Sequence, residues 1–152
     1  MSLANAKPSM KTAAEALQHL LSQAKSVTEV EWVSTQEALG RVLAQDVFSL
    51  VDVPPMNNTQ MDGYAVRVAD IQKVGQSFEV SQRIPAGHVG VELKPGTIAR
   101  IFTGATIPMG ADAVVMQEAC VANGDQVIIQ EIPEVGQWIR MQGEDLKADQ
   151  VA

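Results

Sequence analysis

The stretch that decides the fold is NNTQMDGYAVR, residues 57–67. It begins polar, places an acid beside a glycine at Asp62 and Gly63, and then turns apolar. An Asp-Gly pair in such a setting predicts a tight turn, with the aspartate first and the glycine supplying a positive φ. The same pair can hold a carboxylate where a site needs one. The pair alone leaves both interpretations open.

Downstream of this stretch, short apolar runs alternate with Gly and Pro, a pattern that is typical of strands. The clearest runs are residues 98–102 (IARIF), 111–121 (ADAVVMQEACV) and 125–132 (DQVIIQEI). Asn123-Gly124 separates the last two runs and predicts a two-residue hairpin. We therefore expect residues 51–132 to form a compact, β-barrel-like unit.

Upstream of this stretch, the pattern is partly helical. Alanines and leucines recur three and four residues apart over residues 9–24, which predicts an amphipathic helix. Residues 27–33 (VTEVEWV) alternate as in a short strand. Ser34 and Glu37 have the spacing of a capping box and predict a second helix over residues 35–45, which Gly40 weakens.

These elements predict a mixed α and β, β-rich fold with two N-terminal helices and two lobes. Residues 1–50 and 133–152 would form one discontinuous helix-plus-strand lobe, and residues 51–132 the inserted β-rich lobe. The proposed crossings are Pro54-Pro55 and residues 133–136, because Pro and Gly punctuate the chain there.

Composition excludes several classes of function. The 152-residue chain carries a formal net charge of −7, and no two of its Lys or Arg residues are adjacent, so we expect no nucleic-acid partner. No apolar run has the length of a membrane span, so we expect no membrane partner, and there is no signal-peptide pattern near the N-terminus; we infer a cytoplasmic protein. Cys120 is the single cysteine and is expected to be a packed structural thiol. His19 and His88 lack partners at zinc-ligand spacing.

A few polar residues at predicted turns remain as candidates for chemistry. Thr103 precedes Gly104 at the end of a predicted strand, where it could simply begin a turn. Arg140, Glu144 and Asp145 lie in IRMQGEDL (residues 139–146), where they could form a solvated polar turn. Phosphate-loop and Ser-elbow motifs are absent from the sequence.

Taken together, three segments are more specific than any of these residues alone. Residues 57–71 (NNTQMDGYAVRVADI), 100–118 (RIFTGATIPMGADAVVMQE) and 136–148 (GQWIRMQGEDLKA) resemble, in order and spacing, the N-terminal part of the MoeA-type molybdopterin molybdenumtransferases. The gephyrin E domain belongs to this family. Residues 37–47 (EALGRVLAQDV) are similar to the family's second helix.

The sequence departs from the family pattern at three positions and in length. Thr59-Gln60 stand where the family has Ser-Ala, and Asn57 stands where it often has Asp, so this loop differs from the family pattern in side-chain bulk and charge. The family continues into a molybdopterin-binding domain and a further β domain that this chain does not contain. We therefore expect the chain to be an N-terminal fragment.

The resemblance implies the insertion of molybdenum from molybdate into adenylylated molybdopterin, with release of AMP, and a requirement for Mg²⁺. It implies catalytic roles for Asp62 and Thr103, with Asp62 also a candidate metal ligand. Arg140 and Asp145 are the implied substrate-binding residues, and Glu144 is a weaker candidate. Carboxylates, hydroxyls and a forked guanidinium suit this chemistry, because the reaction handles magnesium and oxyanions.

The resemblance further implies a homodimer, with the discontinuous lobe as the dimerisation lobe, and a molybdopterin adenylyltransferase as upstream partner. The fragment alone is expected to be inactive. One alternative is a non-catalytic dimerisation or interaction module. Another is an unrelated hydrolase that uses Asp62 and Asp145, for which the sequence offers no identifiable base or nucleophile.

Overall fold

A computed structural model of the chain describes residues 10–152. Its contacts divide the chain into two compact units, Met1–Ala44 and Gln45–Ala152. Each unit is described by itself. No helix among residues 10–152 is both long enough and apolar enough to cross a membrane.

The first unit contains the helix α1, Ala13–Gln23, which confirms most of the helix predicted over residues 9–24; Ser9 lies outside the described residues. A capping box fixes the start of α1. The Glu15 amide donates to the Thr12 hydroxyl at 3.3 Å, and the Thr12 amide donates to the Glu15 carboxylate at 2.8 Å. These bonds satisfy backbone donors that the first helical turn leaves without partners.

The predicted second helix does not form. Residues 35–45 contain only a single 3-10 turn, Thr35–Glu37. Gly40 adopts a φ of 82°, which breaks a right-handed helix. A helix of this length is not stable by itself and needs packing against the rest of the chain. Leu39 and Val42 are 97% and 94% exposed, so no such packing is present.

The strand predicted over residues 27–33 is also absent. A strand needs a neighbour for its backbone hydrogen bonds, and residues 10–44 of the described chain contain no second strand to supply one.

The second unit is β-rich, as predicted, and holds eight strands. They are β1 (Asn58–Thr59), β2 (Gly63–Val66), β3 (Gln76–Ile84), β4 (Thr97–Ile101), β5 (Ala113–Met116), β6 (Cys120–Asn123), β7 (Gln126–Ile129) and β8 (Ile139–Arg140). Six of them form one curled sheet in the order β5-β2-β4-β3-β7-β6, and β1 pairs with β8. Neighbours are antiparallel except β3 and β4, which are parallel.

The sequence located some of these strands better than others. The run at residues 98–102 corresponds to β4, and the hairpin at Asn123-Gly124 forms between β6 and β7, with Gly124 at a φ of 62°. The single strand predicted over residues 111–121 is two strands, because a 3-10 turn at Gln117–Ala119 separates β5 from β6. No prediction covered β3, the longest strand.

Apolar side chains pack on both faces of the curled sheet. Successive residues of a strand point to opposite faces, so the neighbours Ala65 and Val66 of β2 belong to different buried clusters. One cluster also contains Phe78, Ile98 and Ile129, and the other contains Ile84, Leu93 and Ile101. These buried side chains anchor the strands whose ends carry the candidate residues.

The two ends of the second unit meet. The Ser49 amide donates to the Gln150 carbonyl at 2.9 Å, and the Val53 amide donates to the Leu146 carbonyl at 2.7 Å. Both segments group with the sheet in Gln45–Ala152. The predicted partition, with residues 1–50 and 133–152 in one lobe, does not coincide with this division and stays a prediction.

Candidate functional site

Three segments that are distant in sequence converge beside the end of β2. The Thr59 amide donates to the Ala105 carbonyl at 3.0 Å, and the Gln60 amide donates to the Trp138 carbonyl at 3.0 Å. The short strand β1 is thereby held between the loop after β4 and the strand β8. The three sequence segments that resemble one family therefore form one continuous surface.

Asp62 and Thr103 are brought together by the pairing of β2 with β4. Asp62 immediately precedes β2, Thr103 lies two residues beyond the end of β4, and Gly63 is paired with Ile101. The Thr103 amide and hydroxyl both donate to Asp62 Oδ1, at 2.8 and 2.7 Å. Asp62 Oδ2 receives no hydrogen bond from the described residues.

These contacts set the charge state of Asp62. The hydrogen bond from the Thr103 amide, followed by the one from the Thr103 hydroxyl, lowers the pKa of the Asp62 carboxyl, and the positive charge of Arg100 acts in the same direction. Hydrogen bonds to the ionised form stabilise it. Asp62 is therefore a carboxylate at neutral pH.

Gly63 is required for a reason other than the predicted one. It does not have a positive φ, and it begins β2 rather than completing a hairpin turn. A Cβ at this position would lie 2.1 Å from the Val115 carbonyl oxygen. The glycine allows β5 to approach β2 closely, and the predicted Asp-Gly turn is wrong in this respect. Asp62 stands at the entry to a central strand, with its carboxylate bonded across to Thr103.

The predicted residues of the third segment form their own cluster. Arg140 Nε donates to Glu144 at 2.8 Å, and Arg140 Nη2 donates to Asp145 at 2.5 Å. The hydrogen bonds that Arg140 donates to Glu144 and then to Asp145 raise the pKa of Arg140, and the bond from Arg140 is the main cause of a lowered pKa at Glu144. Two carboxylates thus hold the guanidinium in place.

An open groove of about 500 Å³ connects the two groups of residues. Thr103, Gly104, Arg140 and Glu144 line it together with residues 58–60. Asp62 adjoins the groove through its bonds to Thr103, whereas Asp145 contacts it only through Arg140. Gly104, at a φ of 80°, has nothing within 4 Å of a Cβ position, so its backbone can approach a ligand.

Sequence reasoning missed two residues that position the third segment. Asp52 accepts hydrogen bonds from the Ala148 amide at 2.9 Å and from Gln142 Nε2 at 2.6 Å. Asn57 Oδ1 accepts from the Gln142 amide at 2.8 Å. In the sequence, Asp52 and Asn57 are simply polar residues close to Pro54 and Pro55. Such positions are too common for the sequence to single these two out.

Magnesium can be tested against the residues present. Among residues 10–152, no group of three His, Cys, Asp or Glu side chains gathers where it could hold a metal ion. Asp62 Oδ2, beside the groove, accepts no hydrogen bond from the described residues, and the Thr103 hydroxyl oxygen lies next to it, whereas both oxygens of Glu144 already accept hydrogen bonds. Mg²⁺ commonly uses one or two carboxylates and takes its other ligands from water and substrate phosphates. The residues fit an ion of that kind and do not form a complete protein cage.

Comparisons with known proteins show the family to which this chain belongs. Residues 11–152 match the MoeA N-terminal region (domain I and II). The chain is 41% identical over 144 residues to a molybdopterin molybdenumtransferase of Haemophilus influenzae, covering 93% of this chain and 35% of that protein. It is 40% identical over 139 residues to one from Nostoc, covering 88% of this chain and 32% of that protein.

A solved structure shares the fold. The crystal structure of the molybdopterin biosynthesis MoeA protein of Pyrococcus horikoshii superposes with a TM-score of 0.79 at 36% identity, over 91% of this chain and 38% of that one. The chain thus spans about a third of the length of the relatives it matches. With the family's three sequence segments gathered in one groove, this chain belongs to the MoeA family and corresponds to its N-terminal region.

Proposed function

We propose that this chain supplies part of the active site that inserts molybdenum from molybdate into adenylylated molybdopterin, with release of AMP. The main observation in support of this proposal is the pairing of Asp62 with Thr103, because it holds an ionised carboxylate and a hydroxyl together at the edge of an open groove. The similarity to molybdopterin molybdenumtransferases supports the choice of reaction.

The groove suits an oxyanion substrate. A guanidinium has five N–H donors, and Arg140 uses its Nε–H and one Nη2–H on Glu144 and Asp145, which leaves three for a ligand. In the proposed site, Arg140 binds a phosphate or molybdate oxygen. Asp145 contributes to substrate binding by holding the Arg140 guanidinium in orientation. Asp62 and Thr103 act on the reacting group, and preorganised groups of this kind stabilise charge that develops in a transition state.

Magnesium is the proposed metal. It would be held by Asp62, with Thr103 as a neighbour, and it would neutralise phosphate charge when bound. Glu144 stays a weaker candidate, because it already pairs with Arg140 and with the Met141 amide.

The proposed assembly is a cytoplasmic homodimer that receives its substrate from a molybdopterin adenylyltransferase, with residues 1–50 and 133–152 as the dimerisation lobe. The apolar stripe of α1 supports an interface, because Leu17, Leu20 and Leu21 are all more than half exposed in the chain. The same stripe favours a second candidate function, a dimerisation or interaction module without activity.

A chimera distinguishes the two functions. Residues 11–152 would replace the matching part of the Haemophilus influenzae relative, and molybdenum insertion would be assayed. We expect an active chimera in which Asp62→Asn lowers the insertion rate roughly 100-fold, since a charge in the site is lost at constant size. Asp46→Asn removes the same charge from an exposed position away from the groove and should leave the rate unchanged. Normal insertion by a folded Asp62→Asn chimera would refute the proposed role.

A further inference from the structure

A second cavity, of about 470 Å³, lies beside the curled sheet and shares no lining residue with the groove. Tyr64, Arg100 and Arg83 line one side of it, and they are direct neighbours across three adjacent strands. Tyr64 of β2 is in register with Arg100 of β4, and Arg100 is in register with Arg83 of β3. The hairpin of β6 and β7 contributes Gly124 and Asp125 to the lining.

Aromatic rings hold both guanidinium groups of this row. The centre of the Phe102 ring lies 4.3 Å from the Arg83 guanidinium carbon and 4.6 Å from that of Arg100. Arg100 also lies 5.1 Å from the centre of the Tyr64 ring. Stacking engages the flat face of a guanidinium and leaves the N–H groups at its edge free to donate.

Most N–H groups of Arg83 and Arg100 donate no hydrogen bond within the described residues. Arg100 donates to the Gly63 carbonyl at 3.2 Å and to the Gln117 side chain at 2.7 Å, so three of its five N–H groups remain. Arg83 donates no hydrogen bond to any described residue. Within residues 10–152, neither arginine has a carboxylate oxygen within 4.0 Å.

Arg83 and Arg100 place two like charges on neighbouring strands. Like charges on neighbouring strands repel each other. The chain is acidic overall, so its sequence contains carboxylates that could have paired with these two arginines. Two cations in register on neighbouring strands, with free donors beside a cavity of ligand size, suit the binding of a tetrahedral dianion.

We propose that Arg83 and Arg100 form a binding site for the phosphate group of a small phosphomonoester. Glu79 and Asp125 also line the cavity, and their carboxylates are suited to accept hydrogen bonds from hydroxyl groups. The site therefore selects a phosphorylated, hydroxyl-bearing molecule, such as a sugar phosphate, over a ligand that is anionic throughout. The site lies outside the groove of the proposed molybdenum chemistry, because the two cavities share no lining residue.

The test is a titration of the chain, followed by amide NMR shifts, with ribose 5-phosphate, inorganic phosphate and ribose at low ionic strength. We expect saturable shifts at Arg83, Arg100 and Gly124 with both phosphates, tighter binding of ribose 5-phosphate, and no saturation with ribose. Arg83→Gln should weaken phosphate binding roughly tenfold, because charge-assisted hydrogen bonds are lost. Arg83→Lys should be weaker than the native chain, since lysine keeps the charge and loses the fork.

Lys73→Gln is the matched control, because it removes one positive charge from an exposed residue outside both cavities and should leave binding unchanged. The proposal fails if no shift saturates up to roughly 10 mM ligand, or if Lys73→Gln weakens binding as much as Arg83→Gln. It also fails if Arg140→Gln abolishes binding while Arg83→Gln does not, since the phosphate would then occupy the groove. Inactivity of the chimera would leave this titration unaffected.

Discussion

Thr103 donates both its backbone amide and its hydroxyl to one oxygen of Asp62, Oδ1, at 2.8 and 2.7 Å. The two residues are 41 positions apart in the chain, and the antiparallel pairing of β2 with β4 brings them together. Since one oxygen takes both bonds, the other stays available to a ligand. The two side chains therefore act as one unit, and a change at Thr103 is also a change in the charge properties of Asp62.

Substitutions at Thr103 should separate the hydroxyl from the rest of the side chain. Thr103→Val deletes the hydroxyl donor at nearly constant shape, so we expect the insertion rate of the chimera to fall about tenfold. The pKa of Asp62 should rise towards its ordinary value, because one of the two bonds that lower it is lost. Carboxyl NMR titration measures this pKa, and the insertion assay measures the rate.

Thr103→Ser is the matched control, since serine keeps both donors. It should preserve the lowered pKa of Asp62 and most of the insertion rate. A Thr103→Val protein with an unchanged Asp62 pKa would show that the hydroxyl bond is not made in solution.

Gly63→Ala should destabilise the sheet strongly. The new Cβ would lie 2.1 Å from the Val115 carbonyl oxygen, so β5 must move away from β2. We expect a loss of about 3 kcal/mol in the free energy of unfolding, at the upper end for overpacked positions. Gly75→Ala is the comparison, because its Cβ meets nothing within 4 Å and only the positive φ of 83° opposes it, at a cost of about 1 kcal/mol. Urea denaturation measures both, and equal losses would contradict the steric explanation.

Elements whose conformation follows from a local sequence pattern could be predicted from the sequence. Residues 98–102 are a short, mostly apolar run next to the turn residues Thr103 and Gly104, and they form β4 almost as predicted. Asn123-Gly124 produces a hairpin because glycine tolerates the positive φ that the turn requires. Asp62, Thr103, Arg140 and Glu144 were all candidates, and the structure gathers them around one groove.

Other features depend on contacts that no local pattern contains. β3 was not predicted because exposed polar residues such as Glu79 and Arg83 interrupt its apolar positions, and its pairing with both β4 and β7 decides its conformation. The second helix was predicted from a real capping spacing. The Ser34 hydroxyl donates to the Glu37 carboxylate at 2.9 Å, but it accepts no hydrogen bond from a backbone amide of the turn and therefore does not cap it.

Cys120 should react slowly with alkylating reagents in the folded chain. Burial of the half-buried thiol is the main cause that raises its pKa to about 12, and the nearby charge of Glu131 adds to the effect. At pH 8 only about one molecule in 10,000 then carries the reactive thiolate. We expect iodoacetamide to modify Cys120 far faster in urea than in buffer, and mass spectrometry counts the product. Equal rates in the two conditions would contradict the buried, structural role.

Asp52 should make stability depend on acidity through its hold on the third segment. The Ala148 amide is the largest cause of its lowered pKa, and the Gln142 side chain is the second. Because the folded pKa lies below that of the unfolded chain, about 3.9, this stabilisation is complete above the unfolded value and is lost as pH falls through the folded one. Asp52→Asn should therefore lower the melting temperature at pH 7.

This difference in melting temperature should shrink as the pH falls below about 4, since a protonated Asp52 resembles asparagine in charge and shape. Differential scanning fluorimetry of both proteins between pH 7 and pH 3 measures the gap. Asp46→Asn serves as the control, because this exposed residue makes no hydrogen bond to the described chain through its side chain, and its gap should stay near zero throughout. A gap for Asp52→Asn that stays constant or widens in acid would show that the carboxylate charge does not hold the Gln142 and Ala148 segment in place.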